Sequence, residues 1–357
     1  MKLSRRDAGR LGMAAIATAL MARPGLALAQ GEWSLAGRSI GDRLVPIAPE
    51  LRPAARRMIE TGFPPITAET LRNMPEGAGP PAPDLLPTIP VAERDIPASG
   101  VLPAVKLFVV NSEPTLSRPA ILHIHGGGHL VGSARGELLY LQETARQLDC
   151  TIVSVEYRLS PRARFTQSTE DTYAGLKWLY DHSDELGVDR TRIALMGESA
   201  GGGHAAILAI KARDRGEVPV LFQSLVYPMI DDRTGSSTPV PPHIATVGWS
   251  PPENRLGWES FLGTLPGTSS VPVAAVPARQ PDLANLPPAW IGVGAVDLFA
   301  AEDIEYARRL VLADVPTQLL VLPGAFHGFD RVAPETSLAQ QFTNSKLAAL
   351  ARAFANG

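Results

Sequence analysis

The chain has 357 residues, of which 45% are hydrophobic and 19% are charged, and its formal net charge at pH 7 is −3. This length fits one large domain or two modest ones, and this composition excludes a long disordered chain. Because the body of the chain has no run rich in Lys and Arg, a nucleic acid is not expected as a partner.

The N-terminus has the three-part pattern of a signal peptide. Basic residues in the first ten positions precede an uncharged stretch over 11–22, and Ala27-Leu28-Ala29 offers small residues at a cleavage site. Ser4-Arg5-Arg6-Asp7 resembles the twin-arginine motif, although Ala8-Gly9 stands where that motif prefers larger apolar residues. We predict that residues 1–29 are removed during export to the bacterial periplasm or exterior, leaving no stable membrane span. Both the twin-arginine and the general secretory route stay open.

From about residue 91, short apolar runs alternate with segments of helical periodicity. Several runs are nearly continuous Val, Ile and Leu, which is typical of strands buried on both faces. The predicted strands are Val105–Val110, Ala120–His125, Thr151–Tyr157, Arg192–Met196, Leu221–Tyr227, Trp290–Val296 and Gln318–Leu322. The predicted helices are 136–148, 168–186, 200–213, 302–313 and 335–354. This alternation predicts an α/β fold with a mainly parallel sheet, and the short link between the first two strands predicts an antiparallel hairpin.

Two segments lie outside this alternation. Residues 30–90 show no clear strand pattern; positions 53–61 favour a short helix, and Pro75–Pro90 is rich in proline, which predicts an extended loop. Residues 228–288 combine many prolines with the aromatic residues Trp249, Trp258 and Phe261. This second segment is predicted to form a cap element rather than part of the sheet.

A serine in a glycine-rich turn is the candidate nucleophile. Gly197-Glu198-Ser199-Ala200-Gly201 fits the G-x-S-x-G pattern of the nucleophile elbow in α/β-hydrolases. The motif follows a predicted strand and opens a predicted helix, whose N-terminus favours developing negative charge. A side chain at either flanking glycine would clash with neighbouring backbone. A chance match in a glycine-rich turn is the alternative, and the flanking strand and helix argue against it.

The catalytic base is identified from the order of residues along the chain after Ser199. Serine is a weak nucleophile without a base, and α/β-hydrolases have the chain order Ser, acid, His. His204, His243 and His327 follow Ser199. His327 comes directly after the last predicted strand, at the edge where catalytic groups gather, so it is the predicted base.

Asp297 is the candidate acid. It directly follows the strand before the last one, where a carboxylate can orient the imidazole and stabilise its cation. The alternative is that Asp297 only caps the next helix. Glu302 and Asp303, which begin that helix, are better explained as acidic residues of a first turn.

A glycine run after an earlier strand predicts an oxyanion hole. In His125-Gly126-Gly127-Gly128, consecutive glycines leave backbone N–H groups free to approach a ligand. The N–H of Ala200, next to the nucleophile, supplies another donor. His125 is interpreted as a loop-ordering residue rather than a second base.

The close spacing of His123, His125 and His129 raises the alternative of a metal site. No cluster of Asp or Glu accompanies these histidines, and the single Cys150 cannot build a cysteine-based zinc site. The glycine run is better explained by oxyanion binding, so neither a metal nor another cofactor is predicted.

Several motifs together carry a family resemblance. They are His125-Gly126-Gly127-Gly128, Tyr157-Arg158-Leu159, Gly197-Glu198-Ser199-Ala200-Gly201-Gly202, Asp297 and His327-Gly328-Phe329. Over about residues 91–350 they resemble the hormone-sensitive-lipase-like esterases, the bacterial family IV of lipolytic enzymes. The resemblance implies an α/β-hydrolase fold with an eight-stranded, mainly parallel sheet flanked by helices. It also implies a cap built from residues 30–90 and 228–288, and a hydrolase domain spanning 91–357.

The same resemblance implies a role for each site residue. Ser199 would be the nucleophile, Asp297 the acid and His327 the base. Gly127, Gly128 and Ala200 would bind the oxyanion. The chain departs from the family pattern at Glu198, where Asp is common, and at Ser160-Pro161-Arg162 and Leu298-Phe299.

We therefore predict a serine carboxylesterase that hydrolyses short- to medium-chain esters through an acyl-enzyme. Its partner is a small-molecule ester. The same triad would also serve an amidase, a lactonase or an acetyl-sugar esterase, and a ligand-binding pseudoenzyme is a further alternative. The oligomeric state stays open, with a homodimer as one option.

Overall fold

The sheet follows the predicted alternation of strands and helices and contains eight strands, in the order β1-β2-β4-β3-β5-β6-β7-β8. The computed structural model describes residues 33–62, 66–73, 84–98 and 104–357, so the predicted signal peptide lies outside the described residues. The strands are β1 Val91–Ile96, β2 Val105–Val110, β3 Arg118–Ile124, β4 Thr151–Glu156, β5 Val188–Glu198, β6 Phe222–Val226, β7 Ala289–Gly294 and β8 Thr317–Leu322. The predicted α/β fold with a mainly parallel sheet is confirmed.

One predicted pairing is wrong, because β2 and β3 do not form a hairpin. Strand β2 pairs antiparallel with β1 and β4, while β3 lies between β4 and β5 and is parallel to both. The link from β2 crosses the sheet instead of turning back, since Glu113 N–H donates to Leu186 O and Arg118 N–H to Gly187 O. These contacts place β3 beside β5. Because the two strands are parallel, the oxyanion loop after β3 lies beside the serine turn after β5.

Strand β1 is missing from the predicted set. It is an edge strand whose central residues, Glu93, Arg94 and Asp95, are exposed. A strand that buries so little has no apolar run to mark it in the sequence.

The helices flank the sheet close to where the periodicity places them. They are α1 Ile40–Leu44, α2 Arg52–Thr61, α3 Ala68–Asn73, α4 Leu138–Leu148, α5 Phe165–Asp181, α6 Ser183–Leu186, α7 Ala200–Arg215, α8 Pro251–Leu262, α9 Ala300–Leu312, α10 Phe329–Val332 and α11 Ser337–Asn356. Short 3₁₀ helices cover Pro49–Leu51, Arg135–Glu137, Val273–Ala275 and Pro277–Arg279. Within the described ranges, no helix combines the length and apolar character that crossing a bilayer would require.

Apolar side chains fill both faces of the sheet, which explains the near-continuous hydrophobic runs. One cluster joins the sheet to α2, α4 and α11, and another joins it to α5, α7 and α9. A third, smaller cluster packs Trp258 and Phe261 of α8 against Leu298 and Phe299 after β7 and Ala200 of α7. The insertion is therefore anchored directly beside the carboxyl ends of the central strands.

Candidate active site

Ser199 occupies the sharp turn between β5 and α7. Its backbone has φ 56° and ψ −122°, in the positive-φ region that non-glycine residues rarely adopt. The turn is held by hydrogen bonds from Ser199 N–H to Val226 O (2.9 Å) and from Met229 N–H to Ser199 O (2.9 Å). A Cβ on Gly197 would collide with Gly201 O, so the close approach of these two residues requires glycine. The motif therefore forms the strained elbow that the sequence predicts.

Asp297, His327 and Ser199 lie in one hydrogen-bonded row. His327 Nδ1 is 2.8 Å from Asp297 Oδ2, and His327 Nε2 is 3.0 Å from Ser199 Oγ. Asp297 follows β7 and His327 follows β8, so parallel strands carry all three residues to the same edge of the sheet. Asp297 and Ser199 are buried, and the side chain of His327 is 14% exposed. The arrangement can accept a proton from the serine hydroxyl at the moment that this hydroxyl attacks.

The alternative role of Asp297 as a helix cap does not match its position. Helix α9 begins at Ala300 and its N-cap residue is Phe299. Asp297 Oδ1 accepts the N–H of Phe299 (3.0 Å), which leaves Oδ2 directed at the imidazole. Glu302, in the first turn of α9, instead accepts the N–H groups of Ile230 (2.8 Å) and Asp231 (3.1 Å). That carboxylate ties α9 to the segment after β6.

The predicted oxyanion donors lie in two segments that pack together at the elbow, and their N–H groups are unpaired among the described residues. In the part of the chain that the structure describes, the N–H groups of Gly127, Gly128 and Ala200 donate to no backbone or side-chain acceptor. The loop presses closely on the elbow, since a Cβ on Gly126 would lie 2.9 Å from Glu198 O and 3.4 Å from Ser199 Cβ. Free N–H groups beside a nucleophile are the feature that stabilises a developing oxyanion.

His125 packs within this loop rather than facing the nucleophile. Its Nδ1 is 2.8 Å from Gly126 O, and its ring stacks on Tyr157 with centroids 4.3 Å apart. Tyr157 in turn donates its hydroxyl to His125 O (2.9 Å). Burial lowers the pKa of His125 to about 3, so the ring is neutral and poorly suited to act as a base near pH 7. These contacts fit the loop-ordering role that the sequence predicts.

The three histidines of the alternative metal site point to different surroundings. His123 bonds to Ser154 Oγ and Glu198 Oε2, both at 2.9 Å, whereas the His129 ring stacks on Phe261 at 3.9 Å. Among the described residues, no group of three or more His, Cys, Asp or Glu side chains is arranged to hold a metal ion.

A buried ionic network lies behind the nucleophile, and sequence reasoning missed most of it. Glu198 Oε2 contacts His123 Nε2 (2.9 Å), and Glu198 Oε1 accepts the hydroxyl proton of Tyr140 (3.1 Å). Tyr140 accepts a hydrogen bond from Lys346 Nζ, and Lys346 on α11 is only 1% exposed. This chain links the residue before the nucleophile to the C-terminal helix.

The network keeps Glu198 ionised although it is buried. Burial alone would raise its pKa, but His123, Lys346 and Arg331 outweigh that effect and lower the pKa to about 2. The sequence offers no signal for Lys346, since a lysine on an amphipathic helix normally faces water. Its burial is explained by the carboxylates of Asp330 and Glu198, whose charges it helps to compensate.

Comparisons with known proteins give a matching family model and several relatives. A family model described as "alpha/beta hydrolase fold" matches residues 121–331, more than half of the chain. Esterase LipI of Mycobacterium tuberculosis is 33% identical over 65% of this chain and 72% of its own length. Carboxylesterase NlhH of the same organism is 32% identical over 76% of this chain and 85% of its own. The solved structure of a bacterial heroin esterase has 33% identity and a TM-score of 0.74, covering 87% of this chain and 99% of that one.

Proposed function

Because this chain belongs to the α/β-hydrolase family, and its predicted likeness to the hormone-sensitive-lipase-like esterases is confirmed, we propose that Ser199 hydrolyses carboxylic esters by acyl transfer. The observation that carries this proposal is the row of hydrogen bonds from Ser199 Oγ through His327 to Asp297. Free N–H groups beside Oγ supply the second requirement of acyl transfer, a place for the oxyanion.

The reaction proceeds in two halves. His327 Nε2 takes the hydroxyl proton as Ser199 Oγ forms a bond to the ester carbonyl carbon, and the carbonyl electron pair moves to the oxygen. When the carbonyl re-forms, the bond to the alcohol oxygen breaks and that oxygen receives the proton from Nε2. Water then attacks the acyl-serine by the same route and releases the acid. Asp297 accepts a hydrogen bond from Nδ1–H throughout and stabilises the imidazolium.

The oxyanion is assigned to the N–H groups of Gly127, Gly128 and Ala200. Removing one such donor from an acyl-transfer site typically raises the barrier by about 3–4 kcal/mol. The positive φ of Gly127 (118°) and of Gly128 (61°) lets this loop curve around the serine turn.

The N-terminal segment and the insertion form the cap in this proposal. Trp33 donates its indole N–H to Ile244 O (2.9 Å), and Arg43 Nε donates to Thr246 O (3.0 Å). Thr246 Oγ1 returns a hydrogen bond to Arg43 O (2.9 Å). These bonds fix residues 33–43 to the insertion, and the insertion packs beside the nucleophile turn, which supports a bounded pocket. A bounded pocket favours short- to medium-chain acyl groups over long ones.

We expect the chain from Gln30 onward to hydrolyse p-nitrophenyl acetate and butyrate faster than the decanoate. The physical reason is that the bounded pocket leaves a long acyl chain partly in water, without the gain of burial. The measurement is kcat/KM for each ester, with and without a chelator. Hydrolysis that a chelator abolishes would assign the activity to a metal instead. A preference for decanoate would contradict the bounded pocket while leaving the serine mechanism standing.

Export is a separate proposal and rests on the sequence pattern of residues 1–29. We expect the full chain, produced in a bacterium, to appear in the periplasm or medium with Gln30 as its first residue, because signal peptidase cuts after small residues. Cell fractionation and N-terminal sequencing provide the measurement. Replacing Arg5 and Arg6 together by Lys separates the two routes, since the twin-arginine route alone depends on that pair. Full-length protein confined to the cytoplasm would contradict the proposal.

A further inference from the structure

Trp249, in the insertion, lies between the two loops that carry the chemistry. We infer that this side chain sets the size limit for the alcohol part of the ester, an inference that rests on the proposed ester hydrolysis. It follows from what Trp249 touches, how rigidly it is held, and where an alcohol must leave.

The indole ring bears directly on the oxyanion loop. A Cβ on Gly128 would collide with Cη2 and Cζ2 of Trp249, so the six-membered ring fills the space where a side chain would stand. The residue before it, Gly248, touches the loop of the base: a Cβ there would lie 3.2 Å from His327 O and 3.3 Å from His327 Cβ. The Gly248–Trp249 pair therefore connects the base to the oxyanion loop.

Helix α8 holds the ring in place. The indole N–H donates to Asn254 Oδ1 (3.2 Å), and the buried Asn254 donates its Nδ2 to Thr234 O (2.9 Å). One turn further along α8, Gly257 packs so closely on the oxyanion loop that a Cβ would lie 2.5 Å from Gly128 O. Trp249, just before α8, is partly exposed, whereas Trp258 within α8 is fully buried. The ring is thus held in place, and part of it is exposed.

The tetrahedral intermediate fixes which part of the ester meets the Trp249 ring. The carbon attached to Ser199 Oγ carries three other groups: the oxyanion, the alcohol oxygen and the acyl chain. The oxyanion points at Gly127 and Gly128, and the alcohol oxygen points at His327 Nε2, which protonates it. The Trp249 ring touches Gly128 and the adjacent Gly248 touches the His327 loop, so the Gly248–Trp249 pair borders the space between these two groups. The acyl chain, which stays attached to Ser199, extends on the remaining side, away from Trp249.

Two ester series separate the alcohol side from the acyl side. The first keeps the acyl group constant, as ethyl, isopropyl and cyclohexyl butyrate, and the second keeps the alcohol constant, as ethyl acetate, butyrate and octanoate. For Trp249→Ala we expect the ratio of kcat/KM for cyclohexyl butyrate to that for ethyl butyrate to rise about tenfold or more, as hydrophobic pockets allow. The ranking within the acyl series should stay as in the unmodified protein. For Trp249→Phe, the ratio for the alcohol series should lie between the values of the unmodified protein and of Trp249→Ala.

Trp178→Ala is the matched control. Trp178 is also a partly exposed tryptophan, but it lies on α5 and stacks on His182, with centroids 4.5 Å apart. It should change neither series. Titrating Ser199 with a fluorophosphonate counts the folded, reactive molecules of every variant, so a loss of folded protein does not distort the ratios.

The outcomes separate the inference from the proposed function. An unchanged alcohol ratio in Trp249→Ala, or a shift in the acyl ranking instead, overturns the role of Trp249 and leaves the esterase standing. If the folded, unmodified protein hydrolyses no ester of either series, the proposed function falls and the inference falls with it.

Discussion

Ser199→Ala is expected to lower kcat for p-nitrophenyl butyrate by about a million-fold, because loss of a triad serine disables the whole unit. Residual turnover would come from binding and the oxyanion donors alone. The fold should survive, since the Oγ atom contributes a single hydrogen bond to His327 and alanine keeps the backbone that shapes the elbow. Stopped-flow and steady-state rates, together with thermal unfolding, test both halves of this expectation.

A matched serine is available as the control. Ser183 is also buried, and its Oγ donates to Leu179 O (3.0 Å) and Tyr180 O (2.8 Å), so Ser183→Ala removes a buried serine hydroxyl whose partners lie on α5 and outside the elbow. We expect its kcat to stay within about twofold of the unmodified protein, as for mutations that touch no reacting group. Hydrolysis by Ser199→Ala above about 1% of normal, in protein free of host esterases, would remove Ser199 from the nucleophile role, because triad losses are far larger.

A strand could be predicted from the sequence wherever it is buried on both faces, because such a strand has a continuous run of apolar residues. The apolar run predicts β5 over Arg192–Met196, although the strand begins earlier, at Val188, where exposed residues interrupt the run. Strand β1 has exposed residues at its centre, so it has no apolar run that would predict it. The pairing of β2 is a non-local property, set by contacts of the crossing link with Leu186 and Gly187, and a short link in the sequence does not reveal them.

The triad residues could be located because chain order and strand ends constrain them together. Ser199, Asp297 and His327 each follow a predicted strand, and parallel strands bring such positions to one edge. Lys346 had no such constraint. Its burial depends on Glu198 and Tyr140, which are distant in sequence, and a lysine among alanines and leucines on α11 gives no local sign of it. Likewise, the sequence marked Trp249 as an anchor of the insertion, but its contact with Gly128 arises only from the packing of α8 on the oxyanion loop.

Asp297→Asn is expected to lower kcat by about ten-thousandfold with little loss of stability, and the reason lies in the two oxygens of the carboxylate. Oδ1 accepts a hydrogen bond from the N–H of Phe299, and Oδ2 accepts one from the Nδ1–H of His327. In asparagine the amide oxygen must stay toward Phe299, because that N–H can bond only to an acceptor. The amide NH₂ then faces Nδ1, which turns the imidazole into the tautomer that carries its proton on Nε2. In that tautomer Nε2 cannot accept the proton of Ser199, so the base is lost although every side chain keeps its place.

Asp171→Asn separates this tautomer effect from the general cost of altering a buried carboxylate. Asp171 is also buried, but it holds Arg158 with Oδ1 2.7 Å from Nη2 and Oδ2 2.8 Å from Nε, away from the triad. Loss of the Asp171 charge weakens the pair with Arg158, so we expect the free energy of unfolding to fall by about 1–3 kcal/mol. At temperatures below the unfolding transition, kcat should be nearly unchanged. Asp297→Asn should show the opposite pattern, a large fall in kcat with a small change in unfolding. If both variants lost stability and activity in parallel, the carboxylate at 297 would act by supporting the fold. If Asp297→Asn kept kcat within about tenfold, His327 would be held in the reactive tautomer by another group, and the assignment of the acid would be wrong.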